Sequence, residues 1–551
     1  MSVSIIPRTQ SAYDYPLLIK NLLFCPVRDN PEQVIVYRGA RYSYRELRRR
    51  VHRLANALTA LGVKQGDTVA VMDWDSHRYL ECFFAVPMIG AILHTVNVRL
   101  SPEQILYTID HAEDDVLLVN REFLPTLEQI RGRIDTVRKY VLLNDELSTP
   151  ATTIPFEGEY EALLAAAPAE FDFPDFDENA RATTFYSTGT TGMPKGVYFS
   201  HRQLVLHTLG TMAALGASSG HGRLHCDDVY MPVTPMFHVH AWGLPYVATM
   251  LGVKQVYPGR YVPEVLLDLI EREKVTFSHC VPTILHMLLK HPLAERIDFS
   301  NWKVIIGGAA FPRSLCIEAL KRGIDAFTGY GMSETCPIVT LSHLTSDMLE
   351  LSPEEQATIR CKTGRSNPLV DLRVVDGNLT ELPSDDASTG EIVLRAPWLT
   401  QGYLKETKFS ERLWEGGWLH TGDVAVRDEL GYVRITDRSK DVIKVAGEWV
   451  SSLEVEDIIA HHPGVAEVAV IATPDAKWGE RPLALVVPRP ESGLTKKDIT
   501  SHVKEYADTG VVNKQIVLLK VQFVEELEKT SVGKISKMKL REKYSGGLKA
   551  Q

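Results

Sequence analysis

The sequence predicts an α/β protein, on three observations. Apolar runs of strand length alternate with amphipathic helical patterns through the first two thirds of the chain, as in parallel strands joined by crossover helices. After about Leu369 short strands separated by turns take over. Beyond a polar segment, a second and smaller unit again mixes helix and strand. With 551 residues the chain exceeds what one hydrophobic core usually supports, so at least two domains are expected. The reading is a large N-terminal domain, 1–438, built of parallel α/β subdomains plus a small β subdomain at about 370–438, followed by a small α+β C-terminal domain, 439–551.

The elements follow in order. Ser43 and Glu46 form a capping box at a helix start, each side chain meeting a free backbone donor. Leu47, Val51, Leu54, Leu58 and Leu61 share one face of that helix, and Gly62 ends it. Thr68 to Met72 reads as a strand. Phe83 to Val98 is the most apolar stretch, but Pro87, Gly90 and His94 interrupt it and it is short for a membrane span, so it reads as a buried helix entering a strand. Thr183 to Tyr186, Val229 to Met231, Val275 to His279 and Val304 to Ile306 are further strands. Leu372 to Val375, leading into the Asp376-Gly377 turn, opens the β subdomain, with Glu391 to Arg395 and Tyr432 to Ile435 as its other strands. Thr436 to Asp441 reads as the linker. The C-terminal unit holds a helix from about Leu453, strands Glu467 to Ile471 and Leu483 to Val487, a helix Lys496 to Tyr506 and a basic last helix.

Composition is that of an ordinary globular protein, with 44% hydrophobic and 24% charged residues. The net charge of -10 disfavours nucleic acid as a partner. Seven scattered cysteines, with no C-x-x-C pair, indicate neither a disulfide framework nor a zinc cluster, and fit a reducing compartment. Met1 to Tyr15 lacks the layout of a secretory signal. A cytoplasmic protein without an integral membrane segment is expected.

Four segments carry chemistry. Tyr186-Ser-Thr-Gly-Thr-Thr-Gly-Met-Pro-Lys-Gly196 follows a strand. Its glycines and hydroxyls can wrap a polyphosphate while Lys195 adds charge; it departs from the ordinary P-loop, in which Gly-Lys precedes Ser or Thr. In Gly329-Tyr-Gly-Met-Ser-Glu-Thr335, an aromatic that can stack on a base stands before an acid that can hold a cation. His420-Thr-Gly-Asp423, with Asp437-Arg-Ser-Lys-Asp441 after it, offers an aspartate after a tight turn for the two hydroxyls of a ribose. Lys529-Thr-Ser-Val-Gly-Lys534 offers a lysine on a glycine turn that can reach a cleft as a point charge. Each alone also fits a surface turn, a helix cap or a basic tail.

Together and in this order, the four segments resemble the acyl-adenylate-forming superfamily of acyl-CoA synthetases, peptide-synthetase adenylation domains and beetle luciferases. The likeness runs from about Ser43 to Tyr544. Pro235-Met-Phe-His-Val-His-Ala-Trp-Gly-Leu-Pro-Tyr246 and Gly447-Glu-Trp-Val-Ser-Ser452 make the chain most similar to medium- and long-chain fatty acyl-CoA synthetases. The resemblance implies ATP, Mg²⁺ and coenzyme A as cofactor and co-substrates. It implies that Ser187, Thr188, Gly189, Thr190, Thr191, Gly192 and Lys195 hold the outer phosphates, that Glu334 binds Mg²⁺, and that Thr335 meets the α-phosphate. Gly308, Ala309 and Ala310 would form a wall against adenine and the acyl pocket, Tyr330 would stack on the base between Gly329 and Gly331, and Asp423 with Arg438 would hold the ribose. His238 would orient the carboxylate, and Lys534 would bridge it to the ribose oxygen. Lys440 matches a hinge on which the C-terminal domain moves, and Lys444, Gly447, Glu448 and Trp449 match the CoA-binding loop. His238, Val239, Trp242, Gly307, Gly331 and Met332 would line the acyl pocket, with Trp242 as its gate. Some relatives are dimers, which makes a homodimer an expectation of the same kind. The chain departs from the family pattern where many relatives have proline at Ser452 and Glu528, glycine at Asp437 and serine at Ala446.

The expected reaction is activation of a carboxylic acid to acyl-AMP, then transfer to coenzyme A. The pocket segments place no acid or base there apart from His238 and His240, which favours an apolar medium- or long-chain fatty acid over an amino acid. An aryl or alicyclic acid is the alternative, since Trp242 could close a short flat pocket. An acyl-AMP ligase serving a carrier protein is another. His240 reads as a satisfied core histidine.

Overall fold

A computed structural model describes residues 3–544 apart from 147, 149, 188–192, 219–220, 439–440, 446–447, 476, 509–513 and 530–534. Four sheets organise the described residues. The first has seven strands in the order Phe156–Glu159, Lys139–Leu143, Asp114–Asn120, Thr68–Met72, Ile92–Thr95, Arg181–Ser187 and Lys195–Ser200. All of its pairs are parallel except the last. The second has nine strands, from Arg365–Ser366 at one edge through Ile338–Leu341, Asp325–Gly331, Lys303–Ile306, Phe277–Cys280, Val229–Pro232, Lys254–Tyr257 and Val34–Tyr37 to Ala40–Ser43. Its middle is parallel and its edges are antiparallel.

Local chemistry explains the elements. Strand Thr68–Met72 is buried at every residue, as is the next helix, His77–Met88; a layer covered on both faces needs such continuous apolar runs. That helix stops after Pro87, and Gly90, at φ 81°, turns the chain into strand Ile92–Thr95. The capping box at Ser43 is only half made. Ser43 accepts from the Glu46 N–H, while the Glu46 carboxylate pairs instead with Arg49 one turn on.

The third sheet is antiparallel, Asp371–Val375, Gly390–Arg395, Leu419–Arg427 and Val433–Arg438. Its apolar face, including Leu372, Val374, Ile392, Leu394 and Leu419, joins the core of the first sheet. The expected linker starts too early: Thr436, Asp437 and Arg438 are polar but belong to the last strand, where Asp437 and Arg438 pair with Val424 and Asp423. An edge strand can carry such residues without burying them all.

The C-terminal unit has its own core, drawn from Ile443 onward. Its sheet runs Glu448–Val450, Ile443–Val445, Gly479–Pro488 and Val465–Asp475, with Lys520–Phe523 pairing parallel to Gly479–Pro488. Helix Ser452–Ala460 of this unit packs against the third sheet. The Ser452 N–H donates to Asp437 Oδ2 at 2.5 Å and its hydroxyl to Oδ1 at 3.0 Å. Lys537 Nζ bonds Ser452 Oγ at 2.6 Å and pairs with Glu456 at 2.7 Å. Two departures from the family pattern, Asp437 and Ser452, are therefore partners, and a proline at 452 would have no N–H to give. No helix among the described residues is long and apolar enough to cross a membrane.

Candidate active site

The carboxyl ends of the parallel strands carry several of the expected residues, and it is there that open α/β sheets bind ligands. Strand Val229–Pro232 leads to His238, Lys303–Ile306 to Gly307 and Gly308, and Asp325–Gly331 to the Glu334 segment. Glycine is required in the last of these. A Cβ on Gly331 would lie 1.8 Å from the Pro337 carbonyl oxygen, so only glycine lets the chain double back here.

A cavity of about 80 Å³ is lined by Thr234, His238, Trp242, Tyr261, Val281 and Gly308, with the exposed Arg99 completing it. Of the expected pocket residues, His238 and Trp242 face it, as does Gly308 from the wall expected between adenine and the acyl pocket. Gly307 lies against Trp242, where a Cβ would come within 2.9 Å of the indole. Val239 is turned into the main core, and Met332 packs against that same core. Arg99 corrects the expectation of a pocket without a base beyond its histidines. Its guanidinium lies 6.0 Å from the Phe237 ring centroid and 5.9 Å from that of Tyr261. Tyr261 in turn donates to Asp75 at 2.5 Å, and the Met236 N–H donates to the same carboxylate at 2.8 Å. Burial pushes Asp75 up to about 7.

The segment joining His238 to Trp242 is unusual. Val239, His240, Ala241 and Trp242 have φ of 47°, 55°, 47° and 59°. Each such residue costs roughly 1–2 kcal/mol unless it is glycine. His240 is buried, but it is not the satisfied core histidine expected. Neither ring nitrogen has a hydrogen-bond partner among the described residues.

A second cluster gathers charge. Lys195 opens the strand Lys195–Ser200, with Nζ 3.4 Å from the Phe409 ring centroid and 4.9 Å from that of Tyr403. Tyr403 donates to Glu334 Oε1 at 2.6 Å. Burial raises the Glu334 carboxyl above its ordinary range, and burial lowers Lys195. Ser187 ends its strand with Oγ 3.4 Å from the Lys195 carbonyl; Thr188 to Gly192 lie outside the described residues. Thr335, expected at the α-phosphate, is fully buried. Its hydroxyl accepts from the Met332 N–H at 2.9 Å and donates to the Pro337 carbonyl, bonds that brace the turn carrying Glu334.

The third cluster is aromatic and acidic. Tyr330 donates to Asp423 Oδ2 at 2.7 Å, and Arg438 Nε lies 3.2 Å from Oδ1. Burial, then the Asp423 charge, raises the Tyr330 hydroxyl well above its ordinary value. Asp423, expected after a tight turn, does not follow one. It sits inside the strand Leu419–Arg427, where pairing with Gly390–Arg395 slips between Glu391 and Val393 and Gly422 takes a φ of 68°. This bulge aims Asp423 at Tyr330. Ala309 and Ala310 are exposed beside Gly308. Lys440, Gly447 and Lys534 lie outside the described residues; Lys444, Glu448 and Trp449 lie on strands Ile443–Val445 and Glu448–Val450, their side chains outside the description.

Tyr403, Phe409, Arg99 and Tyr261 were not singled out in sequence. Arg99 reaches the cavity only because the two large sheets pack together, which no local spacing announces. Tyr403 stands in a Gly-Tyr pair that alone signals little more than a turn.

A family model described as AMP-binding enzyme matches residues 26–404, and one described as AMP-binding enzyme C-terminal domain matches 454–534. A long-chain-fatty-acid–CoA ligase of Thermus thermophilus is 43% identical over 508 residues, covering 92% of this chain and 90% of that protein. A medium-chain-fatty-acid–CoA ligase of Ectopseudomonas oleovorans is 37% identical over 507 residues, covering 92% and 91%. The crystal structure of the anthranilate CoA ligase AuaEII with anthranoyl-AMP superposes with a TM-score of 0.82 at 25% identity, over 96% of this chain and 98% of that one. With both of its modules matched in order along a chain that carries the clusters described above, this protein belongs to the AMP-binding enzyme family.

Proposed function

We propose that the protein activates a medium- or long-chain fatty acid with ATP to acyl-AMP, releasing pyrophosphate, and passes the acyl group to coenzyme A. The observation that carries this reading is the cavity bounded by His238, Trp242 and Gly308, apolar on most of its wall, on the same side of the sheets as the Tyr330–Asp423–Arg438 and Lys195–Glu334–Tyr403 clusters. The fatty acid–CoA ligases matched over nine tenths of the chain support it.

In the first half-reaction a carboxylate oxygen attacks the α-phosphorus and the bond to the pyrophosphate oxygen breaks. Two anions must meet, so the protein must supply positive charge. Lys195 brings one cation, held between Phe409 and Tyr403 with part of its hydration removed. Asp423 and Arg438 orient the ribose, and His238 orients the acid. Lys534 completes adenylation by bridging the carboxylate and the ribose oxygen. Glu334 fits Mg²⁺: it is a buried carboxylate whose ionised form is under-compensated, and this metal binds through one or two carboxylates plus substrate phosphates rather than an all-protein cage. When bound, the ion supplies positive charge against the phosphates. In the second half-reaction the thiolate attacks the acyl carbon and AMP leaves, and the C-terminal domain moves about Lys440 to clear that path.

With Trp242 seated, the cavity of about 80 Å³ is far below the roughly 300–1,000 Å³ of drug-sized ligand sites. A chain of several carbons therefore needs Trp242 to move, whereas a short or flat ring acid needs less. Free cysteines, buried and exposed, fit a reducing compartment. The deciding experiment is pyrophosphate release across acids from acetate to palmitate plus benzoate and cyclohexanecarboxylate, with and without coenzyme A. CoA-dependent turnover peaking on a fatty chain supports the reading; a peak on a ring acid replaces the substrate. One slow round indifferent to coenzyme A replaces the acceptor with a carrier protein. Lys534→Ala should nearly abolish adenylation yet spare thioester formation from supplied acyl-AMP.

A further inference from the structure

His238 and Trp242 both line the acyl cavity, and the four residues from Val239 to Trp242 are all in the left-handed region, with Gly243 a fifth. In the middle of this turn His240 is fully buried and enclosed by rings. Phe185 lies 5.2 Å away between centroids, Phe83 5.7 Å, Tyr246 6.2 Å and Phe199 6.4 Å. Burial, then the neighbouring His207, pulls the imidazole down to about 3, so it stays neutral at physiological pH. Its cost is instead two ring nitrogens without partners among the described residues. An apolar ring would fill the same cage without that cost. Backbone strain and an unsatisfied polar group thus coincide on the segment that seats Trp242 over Gly307. Such features persist only where the surroundings over-determine them, and they gather at clamps and switches.

We propose that His240 is a positioning residue for the acyl gate: it keeps the observed turn only marginally favoured, so that an entering acyl chain can lift Trp242 from Gly307. The inference rests on the reading that the acyl group occupies this cavity. It explains how a pocket this small can serve a long chain, since the energy needed to open it is already stored in the closed turn.

Two substitutions with no chemistry in common should stabilise the seated turn. His240→Phe keeps a ring in the cage and removes both orphaned nitrogens. Ala241→Gly removes the side chain from a residue at φ 47°, where glycine is comfortable. Each should raise Tm and slow amide hydrogen exchange across residues 238–247. Each should also lower kcat/KM for dodecanoate relative to butyrate by about tenfold, which corresponds to about 1.4 kcal/mol. His240→Gln, which keeps a polar group in the cage and does not ease the left-handed backbone, should retain the wild-type ratio of the two acids. Unchanged exchange and an unchanged ratio in both H240F and A241G overturn the proposal, as does an equal loss in H240Q. Should the wild type activate neither acid, the functional reading fails, while exchange and Tm still decide the role of His240.

Discussion

Burial raises the Glu334 carboxyl, and the Tyr403 hydroxyl offsets only part of that. The folded protein therefore binds a proton here more tightly than the unfolded chain does. Between the ordinary carboxylate range and this raised value the native state carries the extra proton, so its stability falls as pH rises through that window. Glu334→Gln should then raise Tm by about 1–2 °C at pH 8 and by less at pH 4, while pyrophosphate release is lost. A variant that is inactive and also less stable at pH 8 would count against this account. The charge at Glu334 was legible in sequence, because Gly-Tyr-Gly followed by an acid is a local pattern. The strain around His240 and the approach of Arg99 were not, because both arise from packing between segments far apart in the chain.

Elements were most legible where one pattern ruled. Strand Thr68–Met72 has the bounds its apolar run suggests. Polar edge residues were not legible: Thr436 to Arg438 read as a linker because their composition is that of a loop, yet they lie in a strand. The Asp423 bulge was read as a turn for the same reason, since glycine serves both. Where glycine is needed for close approach, the outcome of replacing it is firm. Gly331→Ala places a Cβ 1.8 Å from a carbonyl oxygen and should cost about 3 kcal/mol or more, seen as loss of folded yield or a large drop in urea midpoint. Between the two large sheets, Asp75 accepts hydrogen bonds from Tyr261 and from the Met236 N–H. With its carboxyl pushed up to about 7, its contribution to stability should decline from about pH 4, the unfolded value, up to pH 7. Asp75→Asn should remove that slope from the difference between wild-type and variant Tm across this range; an unchanged slope would assign the pH dependence elsewhere.

At the scale of the molecule, the partnership of Asp437 and Ser452 spans residues 439–440, about which the C-terminal unit is proposed to turn. Burial raises the Asp437 carboxyl, with Lys537 opposing that. Asp437→Ala should free helix Ser452–Ala460 from the third sheet, shifting the balance between the two half-reactions: faster exchange of amides 452–456, with adenylation and thioester formation changed by unequal factors. Equal factors would mean the contact is only structural. The same contact makes water a participant in the movement. Turning the unit away would uncover a carboxylate, a helix N–H and a lysine, all of which must be hydrated in the turned state. Solutes excluded from protein surfaces disfavour such uncovering. In concentrated sucrose or trimethylamine oxide, turnover should therefore slow by more than viscosity accounts for, and Asp437→Ala should lose that excess. The enzyme's tempo would follow the activity of water in the surrounding solution as well as the concentrations of its substrates.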